Sequence, residues 1–283
     1  MLNYLAYALR HYLLALQFFT RVPVTGRLAQ WVGFSPAMLR ASSAHFPGVG
    51  WLVGAVVAAL TAVLLACLPG GYAPLVAAVW GTAAGVLLTG AFHEDGLADV
   101  ADGLGGSPQR ERALEIMKDS RVGAFGAIAI HLVLAAKVSL VALLASLGTP
   151  VVCTALFLAH VVSRTWPLLL IRLLPHVGDA AGSKSKPLAD QISGASLRGA
   201  FVWCFMALAL VVYGQIATNF IADEGQAWIV WQALGAALAA SALAFGLMWR
   251  WFARRLQGFT GDCLGATQQA CELAFYLGLG LLL

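Results

Sequence analysis

The sequence predicts an all-α fold: a polytopic integral membrane bundle of about seven transmembrane helices, with an N-terminal interfacial helix and a cytoplasmic surface helix. Of its 283 residues, 60% are hydrophobic and only 11% are charged, whereas soluble domains carry about 25% charged residues. The mean hydropathy of +0.83 agrees with a membrane protein. Long apolar segments alternate with short polar connections throughout, so residues 1–283 are predicted to form one membrane-embedded domain.

The first apolar segment, residues 4–20, is predicted to lie along the membrane interface. Its polar residues recur every two helical turns, at Asn3, Arg10 and Gln17. A helix with one polar stripe and an apolar remainder suits the boundary between headgroups and acyl chains. Residues 21–44 follow, and their prolines and glycines predict an irregular connection.

Seven apolar segments, each close to the roughly 20 residues that a bilayer requires, follow this region. They cover residues 46–68, 73–92, 124–147, 150–174, 199–221, 228–249 and 263–283. In the first of them, Gly50 and Gly54 are spaced to allow close approach of another helix. The second is predicted to run directly into an acidic segment, residues 93–123, at the membrane surface, where residues 108–119 form the surface helix.

The distribution of lysine and arginine predicts the orientation in the membrane. These residues are concentrated in alternate connections, within 10–40, 110–121, 184–198 and 254–255, while the intervening connections 69–72, 148–149 and 222–227 hold none. Because positively charged loops remain in the cytoplasm, the acidic segment is predicted to be cytoplasmic and the C-terminus to lie on the opposite side. The net charge of +4 follows from this topology and does not indicate a nucleic-acid partner.

The acidic segment contains seven of the thirteen acidic residues of the chain. An α-helix turns about 100° per residue, so Asp95, Asp99 and Asp102 form one narrow stripe. Like charges at such spacings destabilise a bare helix. A hard divalent cation relieves the repulsion, and Mg²⁺ binds carboxylate oxygens together with substrate phosphates. The alternative is a solvated acidic face without a ligand.

A basic group follows the acidic stripe in the same segment. Lys118 and Arg121 flank Asp119, just before the chain returns to the membrane. Cationic side chains beside a metal site suit a diphosphate, because they neutralise charge that develops on its oxygens. An ordinary basic turn at the membrane surface is the alternative.

Two further regions contribute candidate substrate-binding residues. The loop of residues 176–198 is rich in glycine and serine and is predicted to be flexible and cytoplasmic. Its Lys184 and Lys186 are candidates for binding an anion, although a plain flexible loop is the favoured interpretation. Asp262 lies between glycines at the start of the last apolar segment, a pattern typical of a helix start that contacts substrate.

Four ionisable residues lie inside predicted spans, where charges are costly and are usually paired or functional. Glu272 is predicted to pair with either Lys137 or Arg164, and spacing does not choose between them. A structural ion pair and a substrate contact, which makes Arg164 a candidate substrate-binding residue, both stay open. His160 is interpreted as a packing residue, and Pro167 is expected to kink its helix.

The motif HEDGLADVADGLGG, followed by RALEIMKDSRVGAFG, closely resembles the cobalamin synthase family, the adenosylcobinamide-GDP ribazoletransferases of late vitamin B12 synthesis. The segments FFTRVPV, HFPGVGWLVGA and TGDCLGATQQACELAF resemble the same family, so the resemblance runs nearly from end to end. It implies a Mg²⁺-dependent enzyme of the bacterial cytoplasmic (inner) membrane, with its active site on the cytoplasmic face. The reaction that it implies joins α-ribazole, or its 5′-phosphate, to adenosylcobinamide-GDP and releases GMP.

The resemblance also implies roles for individual residues. The metal ligands that it implies are Glu94, Asp95, Asp99 and Asp102. The catalytic residues that it implies, within a single catalytic domain, are Asp95, Asp99, Asp102, Lys118, Asp119 and Arg121. Which carboxylate acts as general base stays open, and so does the oligomeric state, a homo-oligomer included.

Two other functions compete with this one. A CDP-alcohol phosphotransferase of lipid synthesis also uses several aspartates at a membrane surface, but its pattern has Ala-Arg after the first Asp-Gly, whereas Asp99 follows Ala98 here. A cation transporter is the less favoured alternative, because it would place its carboxylates in the middle of the membrane. Here the carboxylates are expected beside a basic connection at one surface.

Overall fold

The computed structural model describes residues 2–178, 191–219 and 224–283, and within these ranges the chain is helical and forms no β-strand. The α-helices in chain order are α1 (Leu2–Phe19), α2 (Gly26–Val32), α3 (Pro36–Ser42), α4 (Phe46–Cys67), α5 (Ala73–Thr89), α6 (Phe92–Gly106), α7 (Arg110–Ile116), α8 (Ala124–Ser146), α9 (Thr149–Thr165), α10 (Pro167–Leu173), α11 (Gly194–Asn219), α12 (Glu224–Arg255) and α13 (Gly261–Gly280). The predicted all-α, polytopic membrane fold is confirmed.

Five helices in the described part of the chain are long and apolar enough to cross a membrane, and α5 with α6 makes a sixth if the bent pair counts as one span. The five are Pro36–Cys67, Ala124–Ser146, Thr149–Leu173, Gly194–Gly214 and Trp228–Arg255. The sequence predicted about seven. The helix expected as the seventh, α13, is present but is not one of the five, because Gln268, Gln269 and Glu272 in its middle make it more polar than they are.

The region before α4 differs from its prediction. Residues 21–44 were expected to be irregular, but most of them form the short helices α2 and α3. Ser35 caps α3 by accepting a hydrogen bond from the backbone N–H of Met38 at 3.1 Å, and Pro36 occupies the first helical position. Serine followed by proline is a helix start signal, and it outweighs the turn-forming residues of the segment.

The junction between α5 and α6 is a sharp bend rather than the predicted continuation. Gly90 and Ala91 both adopt left-handed backbone conformations, with φ of 67° and 58°. Consecutive residues of this kind cannot continue a right-handed helix. The axes of α5 and α6 therefore meet at 89°, and the acidic helix α6 turns away from the direction of the span before it.

The predicted surface helix is shorter than expected. Residues 108–119 were predicted to be helical, but α7 covers only Arg110–Ile116. Ser107 ends α6, and its hydroxyl accepts a hydrogen bond from the N–H of Gln109 at 3.1 Å. That local turn occupies the residues that would have begun a longer α7.

Small residues bring the helices at the centre of the bundle together. A Cβ atom on Gly54 of α4 would lie 3.0 Å from the Cα of Phe157 in α9, so the predicted close contact of this helix is confirmed. At Pro167, where a kink was expected, the helix is interrupted: α9 ends at Thr165 and α10 begins at Pro167, although the two together make one candidate span. Helix α13 packs against α6, α8, α9 and α12. Its start lies against α6, which carries the acidic stripe.

Candidate active site

Two glycines let the acidic helix α6 and the start of α13 approach each other closely. A Cβ atom on Gly96 would lie 2.8 Å from the backbone oxygen of Asp262, and one on Gly265 would lie 3.1 Å from the backbone oxygen of His93. Any larger side chain at Gly96 would push the backbone of α13 away. The contact brings Asp262 next to the acidic stripe of α6.

Three carboxylates from these two helices lie together. The side chain of Asp95 is exposed, and that of Asp99 is half-buried. Asp99 lies in α6, outside the five spans. Burial raises the pKa of Asp99 to about 7, and the negative charges of Asp262, Asp95 and Asp102 raise it further. Thr260 donates a hydrogen bond to Asp262 Oδ2 at 3.2 Å. We call Asp95, Asp99 and Asp262 the carboxylate cluster.

Asp102, the third member of the predicted stripe, has its oxygens occupied. Asp102 Oδ2 accepts a hydrogen bond from the N–H of Gly123 at 2.7 Å, and Oδ1 accepts one from the N–H of Gly126 at 2.8 Å. Both donors belong to the start of α8, whose first N–H groups have no partner within their own helix. Asp102 thus caps α8 and fixes it to α6, close to the carboxylate cluster.

Glu94 lies on another side of α6. Its side chain is only 6% exposed, and Oε1 accepts a hydrogen bond from Gln269 Nε2 of α13 at 3.0 Å. Its other oxygen is buried and has no hydrogen-bond partner within the described part of the chain. The structure therefore does not bring Glu94 to the face where Asp95 and Asp99 lie.

The basic group lies in the connection between α7 and α8. Arg121 binds Asp119 through three side-chain hydrogen bonds, the shortest from Nη2 to Oδ2 at 2.6 Å. These bonds lower the pKa of Asp119 to about 2. The side chains of Lys118 and Arg121 are exposed. Because Gly123 binds Asp102, the connection is held beside the acidic helix.

The intramembrane charges form a buried polar network. Glu272 pairs with Lys137, whose Nζ lies 2.7 Å from Oε1, and this identifies which of the two expected pairs is present. Arg164 is 1% exposed and donates to the backbone oxygen of His160 at 2.9 Å. It lies within the bundle, and its placement gives it no access to the exposed side of the carboxylate cluster. His160, interpreted from the sequence as a packing residue, is buried but also belongs to this network: its Nδ1 lies 3.0 Å from Arg164 Nη1 and 3.7 Å from Glu272 Oε1.

Sequence reasoning missed the two residues that join this network to α6. Gln268 donates to Glu272 at 2.8 Å, and Gln269 donates to Gln268 at 2.9 Å and to Glu94. The network therefore runs along α13 from the membrane interior to the acidic helix. Two adjacent glutamines in an apolar segment were the available signal, since buried amides require partners.

Lys184 and Lys186 of the loop 176–198 lie outside the described residues. The first residues of this loop are described, and they pair with the segment before α13. Val177 donates to the oxygen of Phe259 at 2.9 Å, and Phe259 donates to the oxygen of Pro175 at 3.0 Å. The loop thus begins beside the segment that leads to Asp262.

The carboxylate cluster suits an open metal site rather than a closed one. Its donors are hard oxygens, and Asp95 is exposed. Within the described ranges, no three His, Cys, Asp or Glu side chains are placed so that they could hold a metal ion between them, so a bound cation would take only one or two of these carboxylates. Mg²⁺ is commonly held by one or two carboxylates and completed by water and substrate phosphates, so the donor set fits this ion.

Comparison with known proteins places the chain in a family. The model of the cobalamin-5-phosphate synthase family matches residues 11–280, which include α6 and α13. The chain belongs to the cobalamin-5-phosphate synthase family. It is therefore an enzyme of cobalamin biosynthesis.

Three proteins similar to this chain carry the name adenosylcobinamide-GDP ribazoletransferase. The protein from Albidiferax ferrireducens is 72% identical over 272 residues, covering 96% of this chain and 97% of the relative. The protein from Polaromonas naphthalenivorans is 59% identical over 284 residues, with coverage of 96% and 97%. The protein from Vibrio cholerae is 40% identical over 273 residues, with coverage of 96% and 94%. No solved structure matches the chain.

Proposed function

We propose that this chain joins α-ribazole, or its 5′-phosphate, to adenosylcobinamide-GDP and releases GMP, completing the nucleotide loop of cobalamin. Family membership and the shared name of the relatives support the reaction. The observation that carries the proposal on the structural side is that the exposed Asp95 and the half-buried Asp99 of α6 lie beside the half-buried Asp262 of α13. A phosphoryl-transfer enzyme needs such a cluster of oxygen donors at the place where the diphosphate binds.

We further propose that the carboxylate cluster holds Mg²⁺. When bound, the ion would neutralise charge on the transferring phosphoryl group and on the leaving phosphate. Asp102 caps α8, so its role in the proposed site is to hold the basic connection near the cluster. Glu94 contributes from the interior through Gln269.

The chain's own residues then have separate tasks in the transfer. A hydroxyl of α-ribazole attacks the phosphorus next to cobinamide, and the bond from that phosphorus to the GMP oxygen breaks. A carboxylate of the cluster accepts the proton of the attacking hydroxyl. Lys118 and Arg121 bind phosphate oxygens from the exposed connection beside α6.

We propose that the site faces the cytoplasm of a bacterium and that the C-terminus lies on the other side of the cytoplasmic membrane. The support is the distribution of charge. Arg110, Arg112 and Lys118 lie beside the acidic helix, and Arg254 and Arg255 lie near the start of α13, whereas the connections at the other ends of the helices lack lysine and arginine. Positively charged connections are retained in the cytoplasm.

The test uses protein purified in detergent micelles, with adenosylcobinamide-GDP and α-ribazole as substrates. We expect GMP release together with formation of the joined product, and loss of both when EDTA removes divalent cations. The Asp95→Asn variant serves as the inactive control. Release of CMP from a CDP-alcohol, or cation uptake by proteoliposomes without GMP release, would support one of the competing functions instead.

A further inference from the structure

Two arginines attach the C-terminal end of the acidic helix α6 and the start of α7 to the end of α12. Arg255 donates from Nη2 to the backbone oxygen of Ser107 at 2.6 Å, and from both terminal nitrogens to the backbone oxygen of Leu104 at 3.3 Å. In the opposite direction, Arg110 Nε donates to the backbone oxygen of Leu256 at 2.7 Å. We call these contacts the arginine clasp.

The arginine clasp donates hydrogen bonds to backbone carbonyls that have no donor within their own helix. The last carbonyls of a helix lack intrahelical donors, and a positive charge is favourable near them. Arg255 therefore binds the end of α6 with both hydrogen bonds and charge. The planar guanidinium contacts two carbonyls at once, which the single ammonium group of a lysine reproduces poorly.

The clasp is also close in sequence to a member of the carboxylate cluster. Asp262 follows Arg255 by seven residues, and the connection between them is held on its other side by the pairing of Phe259 with Pro175 and Val177. Leu256 and Phe259 are fully buried. Because this connection is short and is held in place, a displacement of Arg255 would also displace Asp262.

We propose that Arg255 is a positioning residue: by holding the end of α6, it keeps Asp262 of α13 beside the face of α6 that carries Asp95 and Asp99, where the cation is proposed to bind. The inference rests on the proposed function, because it concerns the same cluster. The hydrogen bonds of Arg255 are made to the backbone oxygens of Leu104 and Ser107. The effect of Arg255 passes through the relative placement of α6 and α13.

The chain offers a matched control in the preceding residue. Arg254 has the same charge and lies in the same last turn of α12, so the positive-inside rule treats the two arginines alike. Arg254 is exposed, whereas Arg255 is half-buried and bound to α6. A difference between variants at the two positions therefore isolates the clasp from topology.

The experiment compares Arg255→Lys and Arg255→Ala with Arg254→Lys and Arg254→Ala in purified protein. Mn²⁺ serves as a spectroscopic probe, and its binding is measured by electron paramagnetic resonance without any substrate. We expect Mn²⁺ affinity to fall about tenfold or more in Arg255→Ala and by less in Arg255→Lys, with the Arg254 variants within about twofold of wild type. In GMP release, the divalent-cation requirement should rise while the KM for adenosylcobinamide-GDP stays constant.

Each outcome bears on a different statement. Equal Mn²⁺ affinities at the two positions would overturn the positioning role alone, and if Arg255→Ala does not fold, the two lysine variants decide. A shift of Mn²⁺ affinity without any GMP release by the wild type would leave the positioning role standing and remove the proposed reaction. Absence of Mn²⁺ binding by the wild type would overturn both the metal proposal and this inference.

Discussion

Glu94 and Asp95 are adjacent in the chain, but their carboxylates lie on different sides of α6. Asp95 is exposed and belongs to the carboxylate cluster, whereas Glu94 is buried and accepts a hydrogen bond from Gln269. The 100° turn between successive helical residues produces this separation. The two carboxylates of one Glu-Asp pair therefore have different surroundings: one is exposed within the carboxylate cluster, and the other attaches the acidic helix to α13.

The first prediction follows from this difference. Asp95→Asn or Asp99→Asn should lower kcat by at least about a hundredfold, because each removes a charge from the proposed metal site. Glu94→Gln should retain activity within a few-fold, because its side-chain oxygen still accepts the hydrogen bond from Gln269. GMP release at saturating Mg²⁺ measures both effects. If Glu94→Gln were as inactive as Asp95→Asn, Glu94 would act as a ligand.

The second prediction concerns the helix contact that brings Asp262 to α6. In Gly96→Ala the new Cβ would lie 2.8 Å from the backbone oxygen of Asp262, so α13 must move away. We expect weaker divalent-cation binding and a loss of stability of about 1–3 kcal/mol. Gly71→Ala is the control, because a Cβ there meets nothing within 4 Å. Unchanged cation binding in Gly96→Ala would show that the cluster does not depend on this contact.

Much of the acidic helix could be predicted from the sequence, because helical periodicity alone places Asp95 and Asp99 on one face. The family resemblance was confirmed by the comparisons. The membership of Asp262 in the cluster was not accessible in the same way, since it depends on the contact of Gly96 with a residue far along the chain. The bend at Gly90 and Ala91 was also missed, because alanine rarely adopts a left-handed conformation and gives no turn signal.

The third prediction concerns the buried ion pair. Lys137→Met leaves the carboxylate of Glu272 buried without its cation, and breaking a buried pair in this way costs about 3–5 kcal/mol. Adding Glu272→Gln removes the uncompensated charge and keeps an acceptor for Gln268 or Tyr276, which both donate to Glu272. The double variant should therefore have a higher Tm in micelles than Lys137→Met. A double variant less stable than either single one would mean that the charges themselves are required.

The last prediction separates a phosphate-binding arginine from one that only directs topology. Arg121 and Arg112 both lie between α6 and α8, and both form exposed ion pairs, Arg121 with Asp119 and Arg112 with Glu115. Their side chains are 87% and 63% exposed, so neither substitution should disturb packing. Arg110 is a poor control, because it belongs to the arginine clasp.

Of the two, only Arg121 lies two residues from Gly123, which Asp102 fixes to the acidic helix, and it is the one proposed to bind the diphosphate. A lysine cannot reproduce the two parallel hydrogen bonds of a guanidinium on phosphate oxygens. We therefore expect Arg121→Lys to lower kcat/KM for adenosylcobinamide-GDP by about ten- to a hundredfold, as the loss of a charge-assisted contact implies. Arg112→Lys should be nearly silent in the same assay. Small and equal effects at both positions would leave Arg121 as a topology residue, because exposed charge alone would then account for both.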